Sequence, residues 1–87
     1  MNMSLKQLKR LTGTDRPIYD LAFEVGEQVI NARVKRGLTQ KKLASKAKTK
    51  QESIARLESS RHLPSLRFLK QIAEAIDMDV VVKLVDR

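Results

Sequence analysis

The chain has 87 residues, with 18 Lys and Arg against 10 Asp and Glu, one His, no Cys and a formal net charge of +8. Residues 33–61 hold ten bases and two acids, Glu52 and Glu58, and so carry the whole net charge; the flanks are balanced, which points this block at something anionic. One small domain is expected, without disulfide or thiolate-held metal, so self-association is the support expected for its small core, and no apolar run approaches the roughly 20 residues of a membrane helix. The opening MNMSLKQLKR lacks the apolar stretch of a signal peptide, and a cytoplasmic protein is expected.

Ser4 can cap a short helix with Gln7 three residues on, and Leu5, Leu8 and Leu11 give it one apolar edge. Thr12-Gly13-Thr14 ends it. Ile18, Leu21, Ala22, Val25, Val29, Ile30 and Val34 then recur in steps of three and four, which predicts a long helix stopped at Gly37. Thr39 is the next N-cap, with Leu43, Ala44 and Ala47 as the inner edge of a two-turn helix. After a turn near Lys48-Thr49, a helix over about 50–59 points Ile54 and Leu57 inward. Residues 59–64 read as a loop. Ser65 caps a helix through about Ile76, with Leu66, Leu69, Ile72, Ala73 and Ile76 as its stripe.

The last segment, residues 79–86, changes period and reads as a strand. A lone strand has unpaired ladder groups, so Val80, Val81, Val82 and Leu84 are expected to pair with the same strand of a second copy. A further helix or an unstructured tail is the alternative.

Residues 39–57 can be laid out as helix, turn, helix, in which the second helix enters the major groove of duplex DNA. With Ile54 and Leu57 inward, Lys50, Gln51, Glu52, Ala55 and Arg56 are the candidate base-facing residues. Arg suits guanine, Gln adenine and Glu the cytosine amino group. Glu52 could instead repel phosphate or pair with Lys48. Thr39, Lys41, Lys42, Lys48, Ser59 and Arg61 are candidates for the DNA backbone. Tyr19, Phe23 and Phe68 are too few for the aromatic platforms of single-strand RNA binders.

Gly37-Leu38-Thr39-Gln40-Lys41-Lys42-Leu43-Ala44, Ile54-Ala55-Arg56-Leu57-Glu58 and Pro64-Ser65-Leu66, in order and at this spacing, resemble the Cro/repressor (XRE-type) helix-turn-helix family over about residues 25–76. The N-terminal extension with Tyr19 and Phe23 and the terminal Val-Val-Val-Lys-Leu-Val are similar to HigA-type antitoxins of toxin–antitoxin operons. The resemblance implies an all-α, five-helix domain with an N-terminal helical extension and a C-terminal strand that pairs across a dimer. Its divisions are residues 1–24 as a candidate toxin-contacting segment, 25–78 for DNA and 79–87 for dimerisation. It implies that Gln40 and the start of the second helix hold a phosphate, and that Arg33 and Glu58 form a partly buried salt bridge. Two positions depart from the family: Lys48 and Ser60 stand where glycine is common.

The expected function is a dimeric, sequence-specific repressor of its own operon, on a palindromic operator. It would also neutralise a small basic, mRNA-cleaving RelE/HigB-like toxin. Asp15, Tyr19, Asp20, Phe23 and Glu24 are candidates for the toxin surface, core packing being the alternative for Tyr19 and Phe23. The alternative function is a stand-alone XRE-type regulator without a toxin. One His, no Cys and no ligand cluster argue against an enzyme, a metal or a cofactor; His62 reads as a loop residue near phosphate.

Overall fold

A computed structural model describes residues 18–86. They form four helices, α1 (Ile18–Lys35), α2 (Gln40–Lys46), α3 (Gln51–Glu58) and α4 (Leu66–Ala75). α3 packs on α2 and against α1, and α4 packs on α2. No described helix is long and apolar enough to cross a membrane.

Two helices start as their sequence dictates. The Thr39 hydroxyl accepts the Lys42 N–H at 3.0 Å, and the Ser65 hydroxyl accepts the Phe68 N–H at 3.0 Å. Each satisfies a donor that the first helical turn leaves unpaired. α3 begins without such help, because Lys50 at its N-cap makes no side-chain cap bond.

All four helices run into a left-handed residue: Gly37 at φ 68°, Lys48 at 57°, Ser60 at 64° and Asp77 at 57°. Only one of these is glycine. At three of them the same bond pair closes the helix. Gly37 N–H donates to Val34 O at 2.9 Å and Leu38 N–H to Arg33 O at 3.0 Å. Lys48 N–H donates to Ser45 O and Thr49 N–H to Ala44 O, while Asp77 N–H and Met78 N–H reach Glu74 O and Ala73 O. The helix-turn-helix turn therefore takes its left-handed form on Lys48, where a side chain costs about 1–2 kcal/mol.

The core joins Leu43 of α2, Ile54 of α3 and Ile72 of α4, all fully buried, with Val29, Leu57 and Ile76 around them. Ala44 and Ala47 let the helices approach closely. Gly26 does the same for α1. A Cβ there would lie 2.8 Å from Ser60 Oγ and 3.1 Å from the Leu57 carbonyl oxygen. The end of α3 thus lies against a bare stretch of α1 backbone, which offsets the 0.5–1 kcal/mol or so that glycine costs inside a helix.

The architecture corrects the expected fold. The described residues make four helices and no strand, against five helices and a C-terminal strand. The helix expected near residues 4–11, like Asp15, lies outside the described residues. Residues 79–86 carry no regular structure. Val80, Val81 and Val82 have strong β preference, but preference does not make a strand without a neighbour to take its N–H and C=O groups. Strand pairing of Val80, Val81, Val82 and Leu84 is therefore withdrawn. Leu66, expected to face inward, is 61% exposed, and Val34 is 60% exposed.

Candidate nucleic-acid interface

Burying Ile54 and Leu57 turns the rest of α3 outward. Lys50, Gln51, Glu52 and Arg56 are exposed, and Ala55 is half-buried between them. The same surface class holds Thr39, Lys41, Lys42, Lys46, Lys48, Ser59 and Arg61, all exposed. Among residues 39–61 the exposed bases thus face a single exposed acid, Glu52. The Ser59 hydroxyl turns back to donate to the Arg56 carbonyl at 2.7 Å, closing the end of α3.

The second acid of the block, Glu58, is withdrawn from this surface. Its side chain is 5% exposed. Arg33 grips it with two bonds, Nε to Oε2 at 2.7 Å and Nη2 to Oε1 at 2.9 Å, while Nη1 donates to Leu38 O at 2.9 Å. The planar guanidinium matches a carboxylate in this two-point manner. The bond from Glu58 raises the Arg33 pKa above its ordinary value against the opposing effect of burial, so the cation is fixed. Gln40 Nε2 adds a third donor to Glu58 Oε1 at 3.0 Å. One carboxylate therefore ties the end of α1, the start of α2 and the end of α3 together.

Two of these links were not legible in the sequence. Gln40 was expected at a phosphate, yet its amide nitrogen reaches inward to Glu58, and the residue is half-buried. Gln71 of α4 donates to the Ala47 carbonyl at 2.6 Å and so caps the end of α2. Both bonds span many residues, and nothing local announces them.

A cleft of about 360 Å³ runs beside α3, lined by Ser53, Arg56, His62, Leu63, Ser65 and Phe68. His62 thus lies on the flank of Arg56, and Leu63 is exposed there. Among the described residues no cluster of His, Asp and Glu could hold a metal ion.

The candidate partner residues sit elsewhere. Asp20, Phe23 and Glu24 are exposed on α1, with Phe23 57% exposed; Tyr19 belongs to the first turn of the same helix. A recess of about 330 Å³ opens between α1, α4 and the C-terminal segment, lined by Leu21, Val25, Leu69, Ile76, Val80 and Val82. Val81, part of this lining, is 82% exposed, and Leu84 further along the segment is 96% exposed.

The geometry has a solved counterpart. A chain titled as a toxin–antitoxin module from Streptococcus pneumoniae is similar at 22% identity and a TM-score of 0.68, covering 99% of this chain and 97% of that one. This is a likeness of fold. No curated protein matches the chain. The family described as helix-turn-helix matches residues 29–82, which hold α2, α3 and α4, the Arg33–Glu58 pair and the basic surface. The chain belongs to this family of DNA-binding regulators, in its Cro/repressor (XRE-type) form.

Proposed function

We propose that the chain is a sequence-specific DNA-binding repressor and the antitoxin of a type II toxin–antitoxin pair. It acts on duplex DNA as a homodimer in the cytoplasm, represses its own operon, neutralises a small basic mRNA-cleaving toxin and catalyses no reaction. The observation that carries the DNA reading is the outward face of α3. Gln51, Glu52 and Arg56 are exposed there on a helix anchored by Ile54, Leu57 and Glu58, with bases on α2 and in both loops. A helix held this way can enter the major groove, where Arg and Gln have two-point partners on guanine and adenine. Lys41, Lys42, Lys48 and Arg61 would supply the phosphate contacts that dominate affinity.

The recess between α1 and α4 supports the dimer, because its lining includes Val81 and Val82, large apolar side chains left exposed. A two-fold axis can cover one copy's recess with the same surface of the other. Two such subunits would address half-sites one DNA turn, about 34 Å, apart on a palindromic operator. The solved toxin–antitoxin chain of like fold and the exposed acids of α1 support the toxin-neutralising role.

The test is a mobility shift on the chain's own promoter DNA, followed by co-purification with the product of the adjacent reading frame. A specific complex with the promoter and stoichiometric recovery of a small basic protein are expected. Binding to promoter and random DNA alike would overturn the repressor reading. Recovery of this chain by itself would overturn the antitoxin reading.

A further inference from the structure

α1 is apolar on more than the side it gives to the core. Ala22, Val29 and Ala32 are buried, and Gly26 meets the end of α3. Leu21 and Val25 line the recess shared with α4. A further set lies elsewhere: Phe23 is 57% exposed, Val34 60%, and Ile30 half-buried. Phe23 and Ile30 are seven residues apart and Val34 is four beyond, so the three share one helix face over about 16 Å. Phe23 and Val25 are two positions apart, roughly 200° around the helix. The Phe23–Ile30–Val34 stripe and the recess therefore occupy opposite flanks of α1.

Charge selects what can cover the stripe. From Ile18 to Ala32, α1 carries Asp20, Glu24 and Glu27 and no base, in a chain whose net charge is +8. Glu27 falls between Phe23 and Ile30 on the stripe, and Asp20 borders it one turn earlier. Phosphate is repelled by these acids. A second copy docked here by a two-fold axis would bring Glu27 against its own equivalent, and like charges in an interface cost affinity. A basic protein meets neither obstacle over Phe23–Ile30, and the exposed Lys35 and Arg36 adjoin only the Val34 end of the stripe.

We infer that the Phe23–Ile30–Val34 flank of α1 is the docking surface for a basic protein partner, with Glu27 as its charged contact, and that each protomer holds one partner while the opposite flank stays available for a second copy. This rests on the antitoxin reading and deepens it. It extends the contact surface along the folded helix to Val34, ten residues past the expected N-terminal segment. The partner's matching surface is an apolar recess bordered by Lys or Arg.

The experiment uses the full chain and, as probe, the tagged product of the adjacent reading frame. Binding is measured by calorimetry for the wild type and for Phe23→Ala, Glu27→Lys and Val34→Arg, with Leu66→Glu as the variant on the opposite flank. The three stripe variants should bind about tenfold to a hundredfold more weakly, as central apolar and charged contacts do. Glu27→Lys should also flatten the salt dependence of binding. Leu66→Glu should bind the probe normally, one per protomer. Circular dichroism melting and the promoter mobility shift serve as controls, because Phe23, Glu27 and Val34 are outside the DNA surface. Unchanged affinity in all three stripe variants would overturn this inference and spare the antitoxin reading. Competition between probe binding and self-association would overturn the two-flank arrangement. Failure of the wild type to bind the probe would overturn the antitoxin reading, and this inference with it.

Discussion

Replacing Arg33 by Met should be among the most damaging single changes in the chain. Met keeps much of the side-chain length but takes away three donors, two to Glu58 and one to Leu38 O. Glu58 is then left 5% exposed with Gln40 as its remaining donor. Breaking a buried pair from one side typically costs about 3–5 kcal/mol, because the stranded charge has lost its hydration and its partner. A domain of this size has about 4–13 kcal/mol to lose, so the variant should be marginal. Glu58→Gln should be milder, about 1–3 kcal/mol, since Arg33 keeps its bond to Leu38 O and is 15% exposed to water. Replacing both, Arg33→Met with Glu58→Leu, should recover most of the larger loss, as apolar substitution of whole buried pairs commonly does. Urea unfolding followed by circular dichroism, at fixed protein concentration, measures all three. If Arg33→Met costs under about 1 kcal/mol, or if Arg33→Met and Glu58→Leu, each also measured alone, simply add in the double variant, the carboxylate is not the tie between α1, α2 and α3.

The remaining predictions follow from the turns, the helix contact and the DNA surface. Lys48→Gly should raise stability by about 0.5–1 kcal/mol in the same urea assay, because the relief of a left-handed side chain outweighs glycine's extra chain entropy. Gly26→Ala should lower stability by about 1–2 kcal/mol despite alanine's better helix propensity, since the Leu57 carbonyl cannot withdraw from the new Cβ. Ser60→Gly should restore part of that loss by removing the 2.8 Å contact and a second left-handed side chain. Arg56→Ala should cost about 1–3 kcal/mol on the preferred operator and relax its choice at one base pair, whereas Lys41→Ala should weaken all DNA alike and reduce the salt slope by about one. Competition binding against single-base operator variants separates these two outcomes.

What could be read from the sequence was local. Thr39 and Ser65 cap helices because a hydroxyl placed before a periodic run needs only the next turn to act, and both bonds form. Gly37 stops α1 for the same reason. Ile54 and Leu57, three apart, settled which side of α3 faces inward and hence which side is exposed. The expected Arg33–Glu58 pair came from resemblance, not spacing. Long-range geometry was not legible. Gln40 to Glu58 and Gln71 to Ala47 O cross between helices, and a glutamine in sequence reads as surface. Gly26 has no local signature in the middle of α1; its reason is the approach of Leu57 and Ser60 from more than thirty residues away. The strand at residues 79–86 failed on the same ground, since β preference is local while a strand's bonding partner is not.

Leu66 shows how a core-like spacing can still mislead. Its spacing with Leu69 and Ile72 is that of a core stripe, yet it borders the open recess with Leu21 and Val80. The described residues bury six large hydrophobics (Val29, Leu43, Ile54, Leu57, Ile72 and Ile76), and the other five buried hydrophobics among them are alanines. Among the described residues ten large hydrophobics are exposed. Scattered singly, exposed apolar side chains need no explanation, but these are grouped. Leu21, Leu66, Met78, Val81 and Val82 border the recess, and Phe23 and Val34 share the opposite flank of α1. The five buried alanines let the helices pack closely around the six larger side chains, while the remaining large apolar groups stay where association can bury them. The same helix, α1, gives one side to the core that holds α3 and carries exposed apolar side chains on its two flanks, so any partner that binds the folded chain on either flank would stabilise that scaffold.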